Sequence, residues 1–485
     1  MDFHGWEIVG LPDTTVKESK ERIKTAIKNS LSNLESKKYV INLSPADLRK
    51  EGSCMDLPIA IAILIEIGAI KISNDILKET IIVGELSLNG SIKPVKGALA
   101  MCLEAKKLGF ERIIVPLENK IETDLVEGIE IINISTIKEI MEITKSDFKY
   151  INNKIDTKFN TINLLKNKMQ EYEFDFANIK GQADAKRGIE IAVAGMHNIL
   201  MTGTPGSGKT LLAKSIPSIL PNLNYDEILE ILKIKSITEG ISKEKIDIHR
   251  PFRSPHHTIT QMALIGGGRN PKPGEITLAN KGVLFLDELT EFKEGILDSL
   301  REPLEEKRIT ITRTNATVTY PCDFMLVSAM NPCKCGYYGH KIKKCTCTQK
   351  QIERYRSKLS EPFLDRIDLY IEVQNIAINE FSKDKCDSST IIRERVNKAR
   401  KIQETRYKNE IINFNNQLSV SQIEKYCKIQ EKSRKLLLNM LQNYLITIRG
   451  FYKIIKVART IADLEESIDI KHKHILEAIH YKNIK

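Results

Sequence analysis

Residues 203–210 run Gly-Thr-Pro-Gly-Ser-Gly-Lys-Thr. Glycines at this spacing let backbone N–H groups curl around phosphate oxygens where a Cβ would collide with them. Gly203, Thr204, Pro205, Gly206, Ser207 and Gly208 then form the cradle, Lys209 reaches the β- and γ-phosphates, and Thr210 ligates Mg2+. The flanks suit this chemistry. NILM before the loop has strand character, and KTLLAKSI after it reads as a helix whose N-terminus adds positive potential. The ligand implied is ATP with Mg2+.

Three further segments supply what hydrolysis of that ligand needs. GVLFLDEL (282–289) is an apolar strand ending in Asp287 and Glu288, at the carboxyl edge where α/β ligand sites form. Asp287 joins the Mg2+ shell, and Glu288 orients and polarises the attacking water. FMLVSAMNP (324–332) is another buried strand, and Asn331 at its end suits a sensor of the γ-phosphate. LSEPFLDRIDLY (359–370) carries Arg366 on a short helix before a strand. The loop itself holds no cation that replaces an arginine finger. In that role Arg366 acts on the ATP of a neighbouring subunit, which requires a ring.

Two other groups of residues could bind metal. Cys333-x-Cys335 and Cys345-x-Cys347 could wrap one tetrahedral Zn2+, with Lys334, Lys341, Lys343 and Lys344 offsetting the thiolate charge. Four cysteines leave no open position, so such an ion would be structural; the other reading is four reduced thiols on a loop. His256 and His257 are adjacent, and sequence neighbours seldom bind one metal together, so a structural or subunit-contact role is expected of them.

A parallel sheet must hold the phosphate loop and its partners. From Phe176 to about Val373 strands and helices alternate as in a doubly wound sheet, and the segments beyond carry helical periodicity. The first part of the chain reads as a separate α/β unit. A helix is entered through Pro12–Asp13, DLPIAIAILIEIGAI is a buried helix, and TIIVGELSLNGSIKPV is a hairpin turning at Asn89–Gly90. Between them, residues 146–175 are polar and aperiodic and read as a linker. A chain of 485 residues is long enough for two or three domains.

Bulk composition constrains the setting more than the function. The longest apolar run, LPIAIAILI, is far short of the roughly 20 residues of a membrane span, and the start has no secretory pattern. A cytoplasmic protein with reduced cysteines and no membrane partner is expected. Net charge is +11, which favours an anionic partner such as nucleic acid only mildly, because the lysines are spread along the chain.

Together these segments resemble the magnesium-chelatase-like AAA+ ATPases, and within them the competence-protein-M (ComM/YifB) family. The resemblance is carried by IVGLPDTTVKESKERI, GQADAKRGIEIAVAGMHNILMTGTPGSGKT, HRPFRSPHHTIT, LIGGGRNPKPGEITLANKGVLFLDELTEF, MNPCKCGYYG, LDRIDL and VARTIADL, which extend over nearly the whole chain. It implies an α/β protein. A Lon-protease-like (S5 domain 2-like) α/β domain would span 1–145. A P-loop AAA+ parallel-sheet core would span 176–375 with its cysteine-rich loop at 333–347, and a C-terminal helical lid 376–485. It implies a homo-oligomeric ring, a hexamer, coupling ATP hydrolysis to DNA helicase or branch-migration work during natural transformation or recombination. Arg366 takes the arginine-finger place and Arg449, in TIRGF, that of the lid's sensor arginine. KRITITRTNATVTYP becomes a pore-facing hairpin with Arg313 and Asn315 near its tip, and LIGGGRNPKPGE a second insertion exposing Arg269 and Lys272. These four side chains are candidates for DNA phosphate contact, against the alternative that they are merely solvated. The family also implies further residues ahead of the VGLPD segment.

Other functions remain to be weighed. A magnesium- or cobalt-chelatase-type motor shares the ATPase core, and a scaffold without catalysis is disfavoured by the full set of ATPase residues. A Lon-like protease needs a serine activated by a lysine. Here the nucleophile position falls on Cys54 beside Ser53, and the lysine position holds Leu99, with Lys96 three residues too early. The expectation is a retained fold without proteolysis.

Overall fold

The computed structural model describes residues 5–31, 38–45, 50, 52–145, 172–241, 248–268, 271–313, 316–340, 342–375 and 386–482. Most of the expected linker, Arg269, Asn315 and Lys341 lie outside the described residues. The chain forms two compact units, Met1–Met169 with Ile228–Ile248, and Gln170–Glu227 with His249–Lys485.

In the first unit β1 (Trp6–Val9) pairs in parallel with β2 (Tyr39–Asn42), and β3 (Thr80–Ile82) leads into the hairpin of β4 (Glu85–Leu86) and β5 (Ile92–Lys93). β6 (Arg112–Pro116) lies between β3 and β7 (Glu130–Ile134), all parallel. The helix Thr14–Ser30 starts where Pro12–Asp13 predicts, because the Asp13 carboxylate accepts the Val16 N–H at 2.7 Å; such a cap contributes about 1 kcal/mol. The hairpin turns at Gly90, whose φ of +83° suits glycine. The apolar helix Asp56–Glu66 buries Leu57, Ile61 and Leu64 against Ile23 and Ile27 of the first helix. Its first residue, Asp56, is fully buried and is held by Arg22 Nε at 2.9 Å.

The second unit is built on a five-stranded parallel sheet. Its strands are β8 (Ile199–Gly203), β9 (Phe252–Arg253), β12 (Val283–Leu286), β15 (Met325–Met330) and β16 (Leu369–Val373), in the order β16-β8-β15-β12-β9. Two small antiparallel pairs interrupt it: β10 (Gly266–Gly267) with β11 (Lys272–Pro273), and β13 (Arg308–Arg313) with β14 (Ala316–Pro321). β12 and β15 are buried at every position, as strands covered on both faces must be. Their alternation divides the core. Val283, Phe285, Met325 and Val327 face one layer, and Leu284, Leu286 and Leu326 face the other. The first layer is filled by the C-terminal helices, with Val396 of Ser389–Arg406, Ala458 and Ile461 of Ile448–Leu464, and Ile475 of His472–His480. This is the α/β class, with the parallel sheet and helical C-terminal region that the alternation pattern predicts. No helix among the described residues is long and apolar enough to cross a membrane.

Candidate functional site

The loop after β8 has the backbone its glycines require. Gly206 and Gly208 hold φ of +77° and +94°, with open space where a Cβ would stand. At Gly203 a Cβ would come within 2.4 Å of the Val373 carbonyl oxygen, so no side chain fits. The helix Lys209–Ser215 follows directly. Lys209 is buried, and its Nζ donates to the carbonyls of Gly203 (2.7 Å) and Thr204 (2.9 Å) and to Asn331 Oδ1 (3.2 Å). Burial lowers its pKa, partly opposed by the charge of Asp287. Ser207 Oγ is buried without a hydrogen-bond partner among the described residues.

Strand order brings the acidic pair to this loop, since β15 separates β12 from β8 and all three run the same way. Thr210 Oγ1 donates to Asp287 Oδ2 at 2.8 Å, and Asp287 Oδ1 accepts the Glu288 N–H at 2.9 Å. A hydroxyl beside a carboxylate is the hard-oxygen pair that Mg2+ takes. Together with the open glycine cradle and the buried lysine, these residues fit a nucleotide polyphosphate and its Mg2+. Glu288 sits at φ +51°, which turns its exposed carboxylate to 3.3 Å from His257 Nδ1. The His257 ring lies 4.0 Å from that of His256 and edge-on to Phe292. The sequence did not point to His257 as a neighbour of Glu288. Nothing in RPFRSPHHT marks it, because the contact joins a loop to a strand end more than thirty residues away.

Arg366 and Arg449 come together elsewhere. Arg366 donates to the Pro362 carbonyl (2.8 Å) and pairs with Glu305 at 2.5 Å. Its Nε is buried without a hydrogen-bond partner among the described residues. Arg449, on the helix capped by Thr447, lies 3.9 Å from Glu305 and 3.9 Å from Asp365. Among the described residues neither guanidinium has a hydrogen bond or ion pair to the Lys209–Thr210 loop. Glu305 lies on the short helix Arg301–Glu306, and the sequence assigns it no role.

The two insertions pack on each other. Tyr320 donates to the Pro271 carbonyl at 2.8 Å, and a Cβ on Gly266 would stand 2.8 Å from Ile311 Cδ1. Lys272 and Arg313 are both exposed, and Arg313 reaches back over Gly267. After β15 the chain enters the cysteine loop, where the four sulfurs of Cys333, Cys335, Cys345 and Cys347 lie within 4.8 Å of one another.

In the first unit the Cys54 thiol is half-buried, and burial pushes its pKa up. Ser53 donates to the Glu85 carboxylate, Leu99 is fully buried, and Lys96 is exposed. No amine touches either nucleophile candidate among the described residues.

Comparison with known proteins agrees with this layout. Residues 175–381 match the family described as magnesium chelatase, subunit ChlI, residues 2–119 match subunit ChlI of Mg-chelatase, and residues 386–482 match magnesium chelatase, subunit ChlI C-terminal. The chain is 40% identical to YifB of Escherichia coli, a protein described as uncharacterized, over 99% of this chain and 92% of YifB. It is 38% identical to competence protein ComM of Haemophilus influenzae over the same shares. Over 43% of its length it is 24% identical to the magnesium-chelatase 67 kDa subunit of Heliobacterium mobile, 37% of which is covered. The chain therefore belongs to the ComM/YifB family of magnesium-chelatase-like proteins.

Proposed function

We propose that the chain is a ring-forming AAA+ ATPase of the cytoplasm that couples ATP hydrolysis to DNA remodelling, as a helicase or branch-migration motor in natural transformation or recombination. Its cofactor is Mg2+, joined by a structural zinc ion at the cysteine loop. Residues 1–145 act as a Lon-like domain without proteolysis, 146–175 as a linker, 176–375 as the ATPase core and 376–485 as the lid. The observation that carries the motor reading is the division of the catalytic set. Lys209, Asn331, Thr210, Asp287 and Glu288 converge on one loop, while Arg366 and Arg449 are gathered at Glu305.

That division suits hydrolysis shared between protomers. Lys209 and the loop amides hold the phosphates, and Thr210 with Asp287 would hold Mg2+, which would offset charge on the phosphate oxygens. Glu288 takes the proton of the attacking water as its oxygen bonds to the γ-phosphorus and the bridging oxygen departs with ADP. Arg366, released from Glu305, stabilises the transferring group in the neighbour's site, with Arg449 beside it. The DNA part is supported by the competence name of a 38%-identical relative and by the exposed basic insertions; Arg269 and Asn315 belong to the same proposed surface.

ATPase assays with single-stranded, duplex and four-way-junction DNA, run beside porphyrin plus a chelatase partner and beside casein, test the choice. DNA alone is expected to stimulate turnover. Stimulation by porphyrin alone would favour the chelatase-type motor. Casein cleavage abolished by Cys54→Ala or Ser53→Ala would favour the protease, which the buried Leu99 and the upward push of burial on the Cys54 thiol pKa oppose.

A further inference from the structure

The cysteine loop sits against the phosphate loop. Cys333 and Cys335 lie 3.4 Å apart through sulfur, Cys333 and Cys345 3.6 Å, and Cys335 and Cys345 3.5 Å. A disulfide needs about 2.05 Å, so these are separate thiols. Four sulfurs about 2.3 Å from one tetrahedral zinc would stand about 3.8 Å from each other, close to the spacing seen. They surround room for one ion and not for a multi-atom iron–sulfur core. Backbone N–H groups of Tyr337 and Thr346 point at the Cys335 sulfur, as in sites built to hold thiolates. Lys334, Lys343 and Lys344 offset the charge that four thiolates leave beyond that of the metal.

Three contacts tie this loop to the nucleotide site. Gly336 takes φ +84° in the turn closed by its N–H on the Cys333 carbonyl, and a Cβ there would lie 2.5 Å from Pro205 Cδ. The loop backbone is therefore pressed against the phosphate loop itself. His340 Nδ1 accepts the N–H groups of Ile342 (3.0 Å) and Lys343 (2.8 Å). The His340 Nε2 lies 2.7 Å from Asn375 Nδ2, and Asn375 Oδ1 accepts from Thr204 Oγ1 at 2.9 Å. Finally, Asn331, which accepts from Lys209, stands two residues before Cys333.

We infer that Cys333, Cys335, Cys345 and Cys347 bind one zinc ion, and that the stapled loop buttresses the phosphate loop through Gly336–Pro205 and the His340–Asn375–Thr204 relay. Zinc loss or thiol oxidation would then loosen nucleotide binding without touching any catalytic group. The nucleotide half of the inference rests on the ATP reading; the metal half does not.

Full-length protein purified in reducing, chelator-free buffer is expected to carry one zinc per chain by mass spectrometry of metals. Less than half an equivalent, or iron in its place, overturns the zinc site. Cys345→Ser/Cys347→Ser is expected to lose the metal. Removing zinc from the wild-type protein with an organomercurial is expected to weaken binding of a fluorescent ATP analogue at least tenfold, with recovery on returning thiol and zinc. Unchanged affinity in the zinc-free protein overturns the buttress. Asn375→Ala is expected to keep its zinc while binding the analogue several-fold more weakly, and wild-type affinity in that variant overturns the relay. If the zinc-loaded wild-type protein binds no analogue at all, the ATP reading and the buttress fall together, and metal content still decides the site.

Discussion

The carboxylate of Glu288 lies 3.3 Å from Nδ1 of His257, and both groups are held in place by their neighbours. Glu288 itself takes the left-handed conformation just past the end of β12, and His257 packs against the rings of His256 and Phe292. The imidazole is thus placed to orient Glu288 in its proposed role as base, without touching the phosphate loop among the described residues. His257→Ala is expected to lower kcat about tenfold with little change in KM for ATP, since orientation is lost but nucleotide contacts stay. His257→Asn, whose amide nitrogen stands where Nδ1 does, should recover part of the loss. Steady-state ATPase assays of the two variants decide it, and wild-type kcat in His257→Ala would remove the role.

Arg366 is held by Glu305 and has no tie to its own phosphate loop among the described residues. If it serves the neighbour, Arg366→Ala and Glu288→Gln should each lower kcat by about a thousandfold. Mixing the two inactive proteins should restore a measurable fraction of turnover, because a site can then combine Glu288 of one chain with Arg366 of the next. A mixture as inactive as its components would refute sharing. Glu305→Gln, which weakens the hold on Arg366, should raise basal turnover.

Asp368 gives a pH prediction. Burial opposes its ionisation, but Lys453 at 3.0 Å, His197 and the Asn198 N–H outweigh it and hold the carboxyl well below the usual carboxylate range. A depressed folded-state pKa contributes stability above the unfolded value of about 3.9, lost as pH falls below it. Urea midpoints of the wild-type protein should drop as pH is lowered from about 5 to about 3. Asp368→Asn should start lower, because Lys453 loses its partner, and show a shallower slope. Parallel slopes would contradict the assignment.

Different parts of this architecture were legible to different degrees. The strands of the sheet announce themselves because both faces are buried: VLFL is wholly apolar, and the single polar side chain of MLVSAM, Ser328, donates to the Ile199 carbonyl. The phosphate loop is legible because φ near +90° at two positions demands glycine there. The gathering of Arg366 and Arg449 on Glu305 leaves no such trace. A surface carboxylate on a six-residue helix obeys no periodicity, and its partners lie 61 and 144 positions further along the chain, as the difference in numbering shows. The membership of Ile228–Ile248 in the first unit is equally silent. Contacts between distant segments depend on the packed fold, whereas glycine conformation and double-sided burial act on each residue alone.

The basic insertions make the last prediction. Lys272 opens the second strand of one short hairpin and Arg313 stands beside the tip of the other, and the Tyr320–Pro271 hydrogen bond keeps the two hairpins together. Both charges are exposed without a carboxylate partner among the described residues, so they are free to meet phosphate. Each phosphate neutralised contributes about 0.7 (single strand) to 0.9 (duplex) to the slope of log affinity against log salt. The double variant Lys272→Ala/Arg313→Ala should therefore bind DNA more weakly at low salt, with a slope shallower by about 1.4 to 1.8. Its weakening should be uniform across sequences, because phosphate contacts carry no base information. Fluorescence anisotropy over a salt series measures both quantities. A slope equal to that of the wild-type protein would show that these side chains are only solvated and that DNA, if it binds, is gripped elsewhere.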